Sequence, residues 1–123
     1  MRSDLPESPT LITCLCAAWC DTCDDYRAVF DSEAARRAGR VQFRWIDIED
    51  ESALVGDLEV ENFPTLVITR AGQAQFYGTI TPHARTLTRL IDAALAGELA
   101  PIEAEEVRDF AQRLEPRSAL GSP

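Results

Sequence analysis

Ala17-Ala18-Trp19-Cys20-Asp21-Thr22-Cys23 is the stretch on which the reading of this chain turns. It follows the apolar run Leu11-Ile12-Thr13-Cys14-Leu15-Cys16 and opens a polar run over residues 21–38. The first run is short and partly β-branched, which predicts a buried strand. The second predicts a helix: Tyr26, Val29 and Phe30 turn toward the core, Arg36 and Arg37 suit the negative helix end, and Gly39 stops it. Two cysteines two residues apart at a strand-to-helix junction serve redox or metal chemistry. With Cys20 at the helix N-terminus and Cys23 one turn inside, the two side chains share one side of that turn, close enough to bond. The helix dipole and free amides favour a thiolate at Cys20. Cys23 is expected to be more buried and to remain a thiol.

Working outward, residues 41–46 predict a second strand and 50–58 a short helix. Asn62-Phe63-Pro64 leads into a strand over 65–69. Ala71-Gly72 predicts a tight turn, with 73–77 as the return strand of a hairpin. Thr81-Pro82 reads as an N-cap followed by proline at the first helical position. The helix after it carries Leu87, Leu90, Ile91, Ala94 and Leu95 as one apolar stripe and stops at Gly97. Val107, Phe110, Ala111 and Leu114 form the apolar face of a last helix that Pro116 closes; self-packing on the domain is the favoured use of that face. The order β-α-β-α-β-β-α-α predicts an α/β fold with a four-stranded mixed sheet flanked by helices. The expected organisation is a flexible lead-in at 1–9, one domain over 10–97, a C-terminal amphipathic helix at 98–115 and a disordered tail at 116–123.

Composition narrows the function. At 123 residues the chain fits one domain and needs no disulfide staple to hold a core. Its net charge of -9 repels phosphate backbones, so neither nucleic acid nor an anionic membrane is an expected partner. All of its basic residues are arginine, so no lysine is available to tune a thiol. No apolar run is long enough to span a membrane and the start carries no signal-peptide pattern. A cytoplasmic, monomeric protein is expected, in a compartment where thiols stay reduced.

Trp-Cys-x-x-Cys after an apolar strand, with Phe63-Pro64-Thr65 opening a later one, resembles thioredoxin. The resemblance runs from about residue 11 to 96 and takes in the Gly72 turn and Gly78. It implies a thiol-disulfide oxidoreductase acting mainly as a reductant, with Cys20 as nucleophile and Cys23 as resolving thiol. It also implies that Pro64 is a cis-proline facing the dithiol, that Phe63 pairs its backbone with the substrate strand, and that Trp19 and Gly78 border the substrate. No bound cofactor is implied. Disulfide-containing proteins would be the substrates, and a reductase or small thiol would supply electrons.

The sequence departs from that family in ways that bear on redox tuning. Asp21-Thr22 fills the redox loop, and Asp21, Asp24 and Asp25 oppose a thiolate at Cys20 by like charge, which favours a reducing dithiol. Cys14 stands where the family has a buried aspartate, and Trp45 falls near its usual lysine. The proton acceptor for Cys23 is thereby lost, and slow release of mixed disulfides is expected. With about ten residues ahead of the first strand, a four-strand core without the family's leading strand and helix is expected. Cys14 and Cys16 share a strand face about 6.6 Å apart and are expected to be buried free thiols. Two other readings stand beside the enzyme: a thioredoxin-fold binding module with little turnover, and a metal site built from all four cysteines. His83 is expected to be a surface residue.

Overall fold

The computed structural model describes residues 10–56, 58 and 60–120, so the expected lead-in at 1–9 lies outside the described residues. The elements are β1 (Thr10–Cys16), α1 (Asp21–Arg36), β2 (Gln42–Asp47), α2 (Ser52–Val55), β3 (Thr65–Arg70), β4 (Gln73–Thr79), α3 (Ala84–Leu95) and α4 (Glu105–Leu120). The four strands form one mixed sheet in the order β2-β1-β3-β4. The α1 crossover sets β1 and β2 parallel, while β3 runs antiparallel to both β1 and β4. The β3–β4 hairpin turns through Ala71 and Gly72, both at positive φ (55° and 82°), the geometry that matches strand twist in a two-residue turn.

Alternation along β1 divides the interior in two. Ile12, Cys14 and Cys16 face α1 and α3, where they pack with Leu66, Ile68, Tyr26, Phe30, Leu87 and Ile91. Leu11 and Leu15 face the other way, with Ile46, Val67 and Ala74, and α4 covers them with Val107, Phe110, Ala111 and Leu114. The apolar face of α4 therefore packs on this chain's own sheet. Its approach is tied down at two points. Ile102 N–H donates to the Ala74 carbonyl of β4 (2.8 Å). Arg113 donates through Nε to the Leu54 carbonyl (2.7 Å) and through Nη2 to the Val55 carbonyl (2.8 Å), at the C-terminal end of α2. Gly56 caps α2 at φ 60°, and a Cβ there would sit 2.9 Å from the Arg113 guanidinium. Only glycine accommodates both the backbone and the arginine.

Several boundaries differ from the sequence reading. The α2 helix is four residues rather than nine, and only Val55 of it is buried. The N-cap of α3 is His83, not Thr81. Thr81 stands before the helix and shares a hydrogen bond with the Thr86 hydroxyl (2.8 Å), so its side chain reaches the first turn without capping it. His83 itself is exposed, as expected of a surface residue. The α4 helix begins at Glu105 and passes Pro116, the expected stop, to end at Leu120.

Arg37 also differs. It is the C-cap of α1, but instead of meeting the helix dipole from solvent it is buried against Glu33 (2.5 Å) and reaches Asp92 of α3 (2.9 Å). Glu33, 3 % exposed, accepts further from Arg36 (2.8 Å) and Thr88 (3.3 Å). This network clamps α1 to α3. Its hydrogen bonds to Glu33 and Asp92 hold the Arg37 guanidinium charged despite the opposing effect of burial, which is the largest influence on it.

Candidate active site

Four sulfurs gather where β1 ends and α1 begins. Cys14 and Cys16 point from one face of β1, Cys20 is the N-cap of α1, and Cys23 lies in its first turn facing the strand. Cys14, Cys16 and Cys23 are buried, at 0–2 % exposure; Cys20 is half-buried. The Cys20 N–H donates to the Ala17 carbonyl (3.0 Å), and its own carbonyl accepts from Cys23 N (3.1 Å) and Asp24 N (3.3 Å), closing the first turn. The Cys20 side chain makes no capping hydrogen bond, which leaves its sulfur at the positive end of the helix with Asp21 and Asp24 in the same turn. Asp21 and Thr22, the two residues inside the motif, are exposed.

The partner of Cys23 differs from expectation. Cys23 is disulfide-bonded to Cys16, with Cα atoms 5.9 Å apart, and Cys20 is a free thiol. Neither the thiol state expected of Cys23 nor the free state expected of Cys16 is what the structure holds. The cause is geometric. The third residue of α1 turns inward over the end of β1, and the outward-inward alternation of β1 puts Cys16 on the same side. The separation falls within the usual span for a disulfide. The sequence signal for this was present: Cys16 and Cys23 flank the junction on predicted inward-facing positions.

Cys14 is the remaining free cysteine, and burial pushes its thiol up to about 12, only partly offset by the nearby positive charge of Arg27. Its sulfur lies 3.8 Å from that of Cys16. Because Cys16 carries no proton in the disulfide, Cys14 is the donor in that contact. Trp45 is the register partner of Cys14 on β2, so the two departures from the family pattern are neighbours. Trp45 packs edge-on against Phe30 at 5.5 Å and carries the Arg27 guanidinium over its ring at 4.7 Å. The Tyr26 hydroxyl is buried with no hydrogen-bond partner among the described residues, and burial, with the nearby Cys14 and Glu33, raises its pKa.

Trp19 is 65 % exposed, a large apolar surface next to Cys20. Its indole N–H donates to Glu49 Oε2 (3.3 Å), and its ring stands edge-on to Phe63 with centroids 5.4 Å apart. That contact brings the Phe63–Pro64 peptide, which is cis, to the cysteine end of the sheet. The Pro64 carbonyl accepts from Ile80 N–H (3.2 Å), and Thr65 Oγ1 donates to the Asn62 carbonyl (2.6 Å), so the bend before β3 is held on both sides. Gly78 of β4 pairs with Leu66 of β3 and borders a cleft of about 330 Å³ with Asn62, Thr65, Thr79 and Glu106, which none of the cysteines nor Trp19 lines. Among the described residues no group of three or more His, Cys, Asp or Glu is placed to hold a metal ion. No helix among them is long and apolar enough to cross a membrane.

Two solved structures share this fold. One is the germline-specific thioredoxin Deadhead of Drosophila melanogaster, 19 % identical, covering 68 % of this chain and 79 % of its own, with a TM-score of 0.62. The other is described as a malarial protein, 17 % identical, covering 71 % of this chain and 98 % of its own, with a TM-score of 0.63. At that identity they speak for the fold alone. The sequence itself matches the thioredoxin family model over residues 3–94, three-quarters of its length. The four-stranded mixed sheet, the cysteine-bearing turn at the head of α1 and this match together place the chain in the thioredoxin family.

Proposed function

We propose that the chain is a thiol-disulfide oxidoreductase that works mainly as a reductant of protein disulfides. The observation that carries this reading is the difference in access among the four sulfurs: Cys20 alone is half-exposed, at a helix N-terminus and beside the exposed ring of Trp19. In the fully reduced chain the Cys20 thiolate attacks a substrate disulfide. A Cys20–substrate bond forms and the substrate's other sulfur leaves as a thiolate. Cys23 then attacks the Cys20 sulfur, releases the second substrate thiolate and leaves a Cys20–Cys23 disulfide. Two electrons from a reductase or a small thiol restore the dithiol. Trp19 and Phe63 border the incoming strand, and the main chain at Phe63-Pro64 pairs with it as an added strand. Asp21 and Asp24 oppose negative charge at the head of α1; by disfavouring the reduced form they make the dithiol the stronger electron donor. The setting proposed is the cytoplasm, with the chain as a monomer.

A second reading has a specific observation behind it. While Cys23 is bonded to Cys16, Cys20 lacks its resolving partner, as a thioredoxin-fold binding module with little turnover requires. One experiment separates the two. Reduction of a model protein disulfide by wild type, lost to background in Cys20→Ser, with a mixed disulfide trapped by Cys23→Ser, supports the enzyme. Stable partner binding that Cys20→Ser leaves intact, without any disulfide reduction by wild type, overturns it.

A further inference from the structure

Cys23 stands between two sulfurs. On one side is Cys16, its partner in the disulfide, with Cα atoms 5.9 Å apart. On the other is Cys20, one helical turn earlier, where side chains three residues apart have Cβ atoms about 5–6 Å from each other. The first turn is already closed by the Cys23 N–H bond to the Cys20 carbonyl (3.1 Å), so α1 need not re-form for either pairing.

We infer that Cys16 is a third redox-active residue, which takes Cys23 from Cys20 by internal disulfide exchange and leaves Cys20 as a free surface thiol. The inference rests on the reading of Cys20 as nucleophile and Cys23 as its resolving partner. In one direction the Cys20 thiolate attacks Cys23 Sγ. The Cys20–Cys23 bond forms, the Cys16–Cys23 bond breaks, and the electron pair leaves on Cys16, which takes up a proton. The reverse step begins with Cys16 deprotonated and ends with Cys20 as the leaving thiolate. Oxidation state is unchanged overall, so neither an oxidant nor a reductant is consumed.

The two isomers show different faces to a partner. In the Cys20–Cys23 form the disulfide lies at the surface and an electron donor can reach it. In the Cys16–Cys23 form both sulfurs of the bond are buried, at 1 % and 2 % exposure, and Cys20 is the thiol in reach of solvent. That form reacts as a monothiol: Cys20 can join a substrate sulfur, and Cys23 is not free to release it. Reduction of the buried bond from solvent runs through Cys20. Cys14 has a place in this exchange as a positioning residue. Its thiol donates toward Cys16 across 3.8 Å and, with burial keeping it protonated up to about 12, it can still donate when Cys16 becomes the leaving thiolate.

Thiol counting tests the inference on the full chain. Wild type, Cys20→Ser and Cys20→Ala are oxidised with diamide, quenched in acid, unfolded and alkylated, and the thiols are counted by mass. Wild type has four cysteines, and oxidation is expected to leave two thiols. Each Cys20 variant is expected to fall from three thiols to one. Iodoacetamide applied to oxidised, folded wild type is expected to label Cys20, and to label nothing in oxidised Cys16→Ala, where the bond can only be Cys20–Cys23. Retention of all three thiols by both Cys20 variants, while wild type loses two, overturns the inference. So does the absence of native labelling in oxidised wild type. If both Cys20 variants form the internal disulfide but Cys23→Ser traps no mixed disulfide with a model substrate, the nucleophile reading fails. The exchange fails with it, and the buried bond stands.

Discussion

The two faces of the sheet are built from the same strands and do different work. On the α1/α3 face, β1 contributes Ile12, Cys14 and Cys16 to a layer that holds all four sulfurs, a buried ion-pair network and the aromatic edge around Trp45. On the α4 face the same strand contributes Leu11, Thr13 and Leu15, and α4 answers with Val107, Phe110, Ala111 and Leu114. That layer is mostly hydrocarbon; its buried hydroxyls are Thr65, which donates to the Asn62 carbonyl, and Thr13 and Thr69, which have no partner among the described residues. The difference teaches that a strand's two-residue period can hand chemistry to one side and cohesion to the other, with no residue serving both.

Three substitutions or conditions press on that division. The largest effect is expected from Phe110→Ala, which opens a cavity beneath a fully buried ring and should cost about 3–5 kcal/mol in denaturant unfolding. The disulfide reduction rate of the molecules that remain folded should be unchanged. A parallel loss of rate per folded molecule would break the separation of the two faces.

Next is an alkaline effect confined to the α1/α3 face. Cys14 loses its proton at about 9 as an ordinary thiol and at about 12 in the fold. Above the lower value the unfolded chain binds fewer protons than the folded one, so stability falls as pH rises through that window. Between about pH 9 and 10.5 the loss should reach about 2 kcal/mol, at roughly 1.4 kcal/mol per unit. Tyr26, raised by the same burial, pulls in the same direction at higher pH. Urea unfolding of wild type and Cys14→Ala across this range measures it; identical slopes for the two proteins would remove Cys14 as the source.

The smallest effect concerns rate. Cys14→Asp places a carboxylate beside Cys16 and Cys23, where Arg27 already supplies positive charge. Release of a mixed disulfide from Cys20 should quicken about tenfold near neutral pH, below the roughly 10²–10⁴-fold that a fully positioned proton acceptor provides. Single-turnover release by folded Cys14→Asp no faster than wild type would sharpen the comparison differently: proton acceptance at this face would then not limit the reaction.

Much of the layout could be read from the chain. Periodicities of two and of three to four located every strand and the long helices, and they marked Val107, Phe110, Ala111 and Leu114 as one buried face. The resemblance to thioredoxin set Phe63 and Pro64 opposite Trp19 and Cys20, and the edge-on contact of Trp19 with Phe63 brings them together. What escaped depended on how elements lean on one another. Cys16 could be placed on the inner face of β1, but its bond to Cys23 depends on how closely α1 passes over the strand end. Glu33 and Arg37 stand one turn apart, yet the sequence reading set Arg37 against the helix dipole and passed over Glu33. Their third member, Asp92, is 55 positions from Arg37, and only the packing of α3 on α1 brings it near. A resemblance set Gly78 at the substrate; on this sheet it borders a cleft with Asn62 and Thr65, the residues that flank Phe63-Pro64.

The seating of α4 also has a consequence in time. Residues 105–114 are made after every strand they cover. During synthesis from the N-terminal end, β1 to β4 and α3 are available to associate before α4 has emerged. Throughout that interval Leu11, Leu15, Ile46 and Val67 form a bare oily sheet, with the α2 carbonyls that Arg113 will occupy still open. The newborn chain thus passes through a stage in which its sulfur-bearing layer can close while the opposite layer remains adhesive, and a chaperone that holds exposed apolar sheets has its opportunity then.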